Sequence, residues 1–138
     1  MSLLVLALVL VLVATGVALV LQRRRPDAPT QRTWAVPTQL DRDDFPGVDA
    51  EWLVAIFTSA TCSTCAGVLE RAEPLRSDQV AVVDVELTAQ RALHERYHVD
   101  AVPTLVVADA AGVVVASHVG PVSTSELWST LATVRGDG

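Results

Sequence analysis

The chain has 138 residues, 51% of them apolar, two cysteines and a net charge of −6. A chain of this length holds one ordinary domain, which buries enough apolar surface to fold without disulfide staples or a structural metal, so the cysteines are not needed as a framework. From Trp34 onward, 15 of the 16 acidic residues meet only six arginines, a balance that argues against nucleic acid as a partner.

Residues 3 to 21 form an apolar run softened only at Thr15 and Gly16. As a helix it reaches about 28 Å, against a bilayer core of ~30 Å, which predicts a transmembrane anchor over residues 1–22. A cleaved signal peptide would have a basic start, a shorter apolar stretch and a small-residue cleavage site. Met1-Ser2 has no side-chain charge and Leu19-Val20-Leu21-Gln22 leads straight into arginines, so the anchor is expected to stay uncleaved. Arg23, Arg24 and Arg25 follow the span and nothing basic precedes it. The positive-inside rule then places the rest of the chain on the cytoplasmic side of the cell membrane, the extracytoplasmic side being the alternative. Residues 23–33, with Pro26 and Pro29 among polar neighbours, read as an extended linker to a domain at 34–138.

Within the domain, Trp34 to Leu40 is a short strand candidate, and Asp41 can cap a short helix through Phe45. Trp52 to Thr58 is a continuous apolar run, as a buried parallel strand shows. A helix is expected from Cys62 to Glu73, stopped by Pro74, which lacks an N–H and clashes with the turn before it. Val80 to Leu87 reads as a strand and Ala89 to His98 as a helix. Thr104–Ala108 and Val113–Val119 flank Asp109-Ala-Ala-Gly112, where glycine permits positive φ, so they predict an antiparallel hairpin. Ser123-Thr-Ser-Glu126 is a capping box for a last helix to about Val134. Strands alternating with helices give an α/β domain with a mixed central sheet flanked by helices.

Both cysteines fall in Thr61-Cys-Ser-Thr-Cys65, between the apolar strand and the helix after it. A sulfur at a helix start meets unpaired backbone N–H groups and the positive end of the dipole, which favours thiolate and marks Cys62 as the nucleophile. Cys65, one turn on, is placed to resolve a mixed disulfide formed by Cys62. C-x-x-C also opens zinc sites and, before His, marks haem attachment; Ala66 excludes haem. His94 and His98 could complete a zinc set, but 28 residues separate them from Cys65, against about 12 to 15 in finger-type sites. They are read instead as surface or rim residues, His98 in the last helical turn, and no metal is expected.

With strand Leu53–Thr58, the motif Cys62-Ser-Thr-Cys65 and Val102-Pro103-Thr104, residues 34 to 135 resemble the thioredoxin family. Leu40-Asp-Arg-Asp-Asp-Phe45 is similar to the start of that family's first helix, Tyr97–Thr104 to its Tyr-Gly-Ile/Val-x-x-x-Pro-Thr segment, and Val119-Gly120 to the pair after its last strand. The resemblance implies a thioredoxin-like fold and thiol–disulfide oxidoreductase activity, with no bound cofactor because the dithiol itself carries the electrons. It implies a cis bond before Pro103, packed against the sulfurs, and a groove for extended substrate formed by Thr61, Ser63, Thr64, Val102, Pro103, Thr104 and Gly120. Partners would be protein thiols or disulfides and an electron-carrying protein at the membrane; nothing asks for a dimer.

The departures are at the motif. Thr61 replaces the family's rim aromatic, Ser63-Thr64 replaces the pair that tunes the potential, and Ile56 stands where a buried acid usually serves the resolving thiol. Asp84, on the next strand, is the replacement candidate, although a solvent-facing strand-end charge is the simpler reading. Two further functions stay open: a non-catalytic thioredoxin-fold adaptor at the membrane, and an outward-facing thiol reductase for exported proteins such as c-type cytochromes.

Overall fold

The computed structural model describes residues 2–23, 34–47 and 49–136, in two units, Met1–Thr33 and Trp34–Gly138. In the first, Ser2–Arg23 is one helix, α1. The expected span is not shown, because among the described residues no helix is long and apolar enough to cross a membrane. The helix α1 has 22 residues. Its large apolar side chains, Val5 to Val13 and Val17 among them, are exposed. The expected linker lies, beyond Arg23, outside the described residues.

In the second unit the apolar run is β1 (Trp52–Thr58), every residue of it buried. It is central: β2 (Val80–Glu86) runs parallel on one side, β3 (Thr104–Ala108) antiparallel on the other, and β4 (Val114–Val119) pairs antiparallel with β3, giving the order β2-β1-β3-β4. Burial on both faces is why β1 shows no polar alternation. Leu53, Ala55 and Phe57 face a cluster with Phe45, Tyr97 and Val99. Val54 and Ile56 face Val68 and Ala72 of α2 (Cys65–Ala72) and Leu127 and Leu131 of α4 (Thr124–Gly136). At about 1.5 to 3 kcal/mol per fully buried large apolar side chain, these two clusters hold the fold.

Trp34–Leu40 is not a strand. Only Thr38–Leu40 reaches the sheet, through an isolated bridge of Gln39 to Val113, with Leu40 N–H donating to Gly112 O at 2.8 Å and Val114 N–H to Thr38 O at 3.0 Å. Pro37 holds φ near −65°, away from the strand value, which ends the pairing there. Asp41 caps as expected, accepting from Asp43 N–H at 3.1 Å, but it opens only a single 3-10 turn, Arg42–Asp44. Pro46 and Gly47, the latter at φ 81°, leave no room for an α-helix. The buried Arg42 donates from Nη1 to Asp109 O (2.7 Å) and from Nη2 to Ala50 O (2.8 Å) and Gly47 O (3.2 Å). Arg96 pairs with Asp41 and Asp44, and the Tyr97 hydroxyl donates to Asp44 while accepting from Asp41 N–H.

The hairpin turns as predicted: Gly112 has φ 81°, and Asp109 Oδ1 accepts from Ala111 and Val113 N–H, both at 2.9 Å. α2 stops at Ala72, and Pro74 sits in a 3-10 turn, Glu73–Leu75. The capping box forms, with Ser123 N–H donating to Glu126 Oε2 (2.8 Å) and Glu126 N–H to Ser123 Oγ (3.3 Å), and α4 runs on to Gly136.

The helix before the Val-Pro-Thr segment is shorter than expected: α3 spans Arg91–Arg96. It closes through Val99 N–H to His94 O (2.9 Å) and His98 N–H to Glu95 O (3.2 Å), a closure that needs a left-handed residue, usually glycine. His98 fills that position at φ 54°, so it lies past the helix and not in its last turn. His94 is not a surface residue either. It is 3% exposed, its Nε2 2.8 Å from Val85 O and its ring edge-on to Phe57.

Chemical denaturation checks two of these contributions to stability. Phe57→Ala removes a fully buried ring and should cost about 3 to 5 kcal/mol. His98→Gly relieves a left-handed penalty of about 1 to 2 kcal/mol at an entropic cost of about 0.5 to 1, for a net gain of up to about 1.5 kcal/mol.

Candidate active site

β1 ends at Thr58 and the chain turns through Ser59–Thr64 into α2. The helix therefore starts at Cys65, three residues later than predicted, because Ser and Thr favour caps over helix interiors. Cys62 stands ahead of the helix. Its N–H donates to Ser59 O at 3.0 Å, and its sulfur is joined to Cys65 in a disulfide with the Cα atoms 5.5 Å apart. Thr64, the residue before the helix, makes no side-chain cap; its hydroxyl lies 3.7 Å from Cys62 Sγ and, since a disulfide sulfur carries no proton, donates to it. Cys62 is half-buried and Cys65 is 3% exposed, so an incoming group meets Cys62 first.

The remaining predicted residues collect at the same end of the sheet. Thr104 pairs with Phe57 across β1 and β3 and with Val119 across β3 and β4, so Val102-Pro103 and Gly120 flank the end of β1. The Val102–Pro103 bond is cis, as the resemblance implied. Pro103 is buried and its carbonyl accepts from Gly120 N–H at 2.8 Å. Gly120 has φ 92°, and a Cβ there would meet nothing within 4 Å, so its glycine answers to backbone conformation and not to space. Thr104 Oγ1 donates to Ala101 O at 2.8 Å, while Thr61, Ser63 and Thr64 are exposed around Cys62.

Ile56 is fully buried, opposite Asp84 in the β1–β2 register. Asp84 is exposed and accepts from Thr58 Oγ1 at 2.6 Å; no hydrogen bond among the described residues joins it to either cysteine. Asp84 faces solvent as the simpler reading expected, but it lies two residues inside the end of β2 and has a threonine partner that the sequence did not announce. His94 is committed to Val85 O, and among the described residues no group of three or more His, Cys, Asp or Glu could hold a metal ion. A residue that the sequence reading missed is Glu86, which pairs with Thr58 and whose carboxylate accepts from Ala60, Thr88 and Ala89 N–H. An acid at the end of a strand, just before a turn, was its only signal.

The site is a surface. A cavity of about 500 Å³ between β4 and α4, lined by Trp52, Val115, Ala116, Ser129, Thr130, Thr133 and Val134, holds none of these residues. A half-buried Cys62 beside strand ends, outside that cavity, suits reaction with another macromolecule.

A Cys-x-x-Cys pair closed as a disulfide, at the turn from a central strand into a helix, is the arrangement of a thiol–disulfide oxidoreductase. The chain belongs to the thioredoxin family, whose model matches residues 46–133. It is similar to a mutant thioredoxin from Halobacterium salinarum, at 29% identity over 71% of this chain and 86% of that one, with a TM-score of 0.57. The germline-specific thioredoxin Deadhead from Drosophila melanogaster shares the fold at 23% identity, over 63% of this chain and 84% of that one, with a TM-score of 0.55. A malarial protein shares it at 18% identity, over 59% and 94%, also with a TM-score of 0.55. Among curated proteins no sequence matches.

In the reduced protein, iodoacetamide should modify Cys62 at least about tenfold faster than the buried Cys65. Thr64→Val removes the hydroxyl donor at 3.7 Å, and iodoacetamide should then alkylate Cys62 of the reduced protein more slowly at pH 7.

Proposed function

We propose that the protein is a membrane-tethered thiol–disulfide oxidoreductase that exchanges its Cys62–Cys65 disulfide with cysteines of other proteins. The observation that carries this reading is the contrast within the pair: Cys62 half-buried in an exposed turn, Cys65 covered beneath it. In the reducing direction the Cys62 thiolate attacks one sulfur of a substrate disulfide and releases the other as a thiolate, which takes a proton from water. Cys65 then gives up its proton and attacks Cys62 Sγ, freeing the substrate's second thiol and leaving the observed disulfide. Two electrons pass to the substrate and a partner dithiol must return them; the oxidising direction is the same sequence reversed.

Pro103, Val102, Thr104 and Gly120 frame the approach, since Gly120 N–H is tied to Pro103 O at 2.8 Å and the loop carrying Thr61, Ser63 and Thr64 faces them from β1. With the buried Ile56 where an acid would stand, we assign removal of the Cys65 proton to water.

The tether is supported by the apolar run from Leu3 to Leu21 and by α1, whose described large apolar side chains are exposed. A helix apolar on all sides needs an apolar surrounding. Arg23 to Arg25 favour the cytoplasmic face of the cell membrane for the domain.

Insulin reduction coupled to dithiothreitol tests the chemistry. Cys62→Ser should lose activity to background, while Cys65→Ser should accumulate a mixed disulfide visible on a non-reducing gel; equal activity in wild type and Cys62→Ser would sink the reading. For the tether, the full chain should stay in the membrane pellet after alkaline carbonate washing, and deletion of residues 3–21 should release it. A tagged domain reached by external protease in intact cells would reverse the proposed side.

A further inference from the structure

Glu86 ends β2 with a carboxylate that accepts three backbone N–H groups: Ala60 on Oε1 at 3.2 Å, and Thr88 and Ala89 on Oε2, both at 2.9 Å. The last two bonds are local and shape the turn out of β2. The first is different in kind. Ala60 lies 26 residues away in sequence, in the turn that leads from β1 to Cys62, two positions before the sulfur.

Apart from the Cys62–Cys65 disulfide and the Val68 N–H to Thr64 O bond, which join it to α2, that turn is otherwise held by bonds within itself. Cys62 N–H donates to Ser59 O (3.0 Å), Thr61 N–H to Ser59 Oγ (3.4 Å), the hydroxyls of Ser59 and Thr61 meet at 3.1 Å, and Thr64 Oγ1 reaches Cys62 Sγ at 3.7 Å. These bonds give the turn a shape, and the Glu86 bond fixes that shape to the end of the sheet. A carboxylate accepting N–H groups forms stronger bonds than a neutral acceptor.

We propose that Glu86 is a positioning residue for Cys62, holding the turn to β2 so that the sulfur faces the Pro103 and Gly120 strand ends where a substrate disulfide must line up. The inference rests on the reading of Cys62 as the attacking thiol. Displacement at sulfur needs the incoming thiolate aligned with the bond it breaks, and small errors in such alignment are costly in rate. Glu86 adds no chemistry of its own: the bond formed is Cys62 to substrate sulfur, the bond broken is the substrate disulfide, and the departing thiolate is protonated by water.

The Ala89 and Thr88 N–H groups, then burial acting the other way, then Ala60 N–H and the Thr88 hydroxyl, leave the Glu86 carboxyl below its ordinary 4.5. No charged side chain contributes to that lowering; Asp84, two residues back on the same strand, is engaged by Thr58. A depressed carboxylate gives its support in full above the unfolded value and loses it as pH falls through the folded one. The tether is thus intact at neutral pH.

The test uses the full chain in detergent micelles. In an amide NMR titration, the Ala60, Thr88 and Ala89 resonances should move with one shared midpoint below 4.5, the ordinary value, and Glu86→Gln should abolish that step. At pH 7, Glu86→Ala should lower kcat/KM for insulin reduction roughly tenfold while changing iodoacetamide alkylation of Cys62 less than twofold, since a small reagent needs no alignment. Glu86→Gln, which keeps a carbonyl acceptor, should recover part of the loss. An Ala60 amide that does not titrate with the other two, or a kcat/KM for Glu86→Ala within twofold of wild type, would overturn the proposal. A merely structural role would instead expose Cys65 to alkylation alongside Cys62, and would overturn it too. Insulin reduction that survived Cys62→Ser would remove the oxidoreductase reading, and the shared amide midpoint would still decide the tether by itself.

Discussion

The structure depends on one constraint, that β1 is buried on both faces for its whole length. A strand in that position has to be apolar at every residue, because an unpaired polar group there would cost several kcal/mol. Trp52 to Phe57 carry no hydroxyl or charge, Ile56 included, and the first hydroxyl of the strand, Thr58, finds a partner in Asp84. The dithiol sits where that burial ends. The two cysteines straddle the boundary, Cys65 buried as the first residue of α2 and Cys62 half-buried ahead of it.

The same end of the sheet has no cationic side chain in its turn: Ser59-Ala-Thr-Cys-Ser-Thr64 contains no Lys or Arg, while Asp84 and Glu86 close the neighbouring strand. Support for a thiolate at Cys62 therefore comes from dipoles, the Thr64 hydroxyl and the uncapped first turn of α2, and not from a neighbouring positive charge. The balance differs from sites that use histidine or lysine to hold a thiolate, and it places more of the work on geometry.

Much of this was legible in the sequence. The unbroken apolar run gave β1, Asp109 to Gly112 gave the hairpin, Ser123 to Glu126 gave the last helix, and Val-Pro-Thr after Cys-x-x-Cys gave the family and the end of the sheet where the site lies. The features that were not legible depended on partners far along the chain. His94 looks like a surface helix residue until the carbonyl of Val85 is brought to 2.8 Å from it. The carbonyls of Gly47, Ala50 and Asp109 take Arg42 inside, an arrangement that no local motif announces. Trp34 to Leu40 carries strand-forming residues, but Pro37 and the burial of Leu40 leave it only a bridge. The late start of α2 was a local matter of Ser and Thr chemistry, outweighed in the sequence by expecting the helix at the first cysteine.

The attachment of Thr38–Arg42 to the hairpin has a mechanical meaning. Leu40 to Gly112, Val114 to Thr38 and Arg42 to Asp109 all lie at the turn of the hairpin, the end of the sheet opposite Thr58 and Pro103. A pull transmitted through the chain from its N-terminal side is therefore taken up by a backbone bridge and a buried guanidinium at one pole, while the sulfurs sit at the other. Load on that side enters the sheet without crossing the turn that carries Cys62.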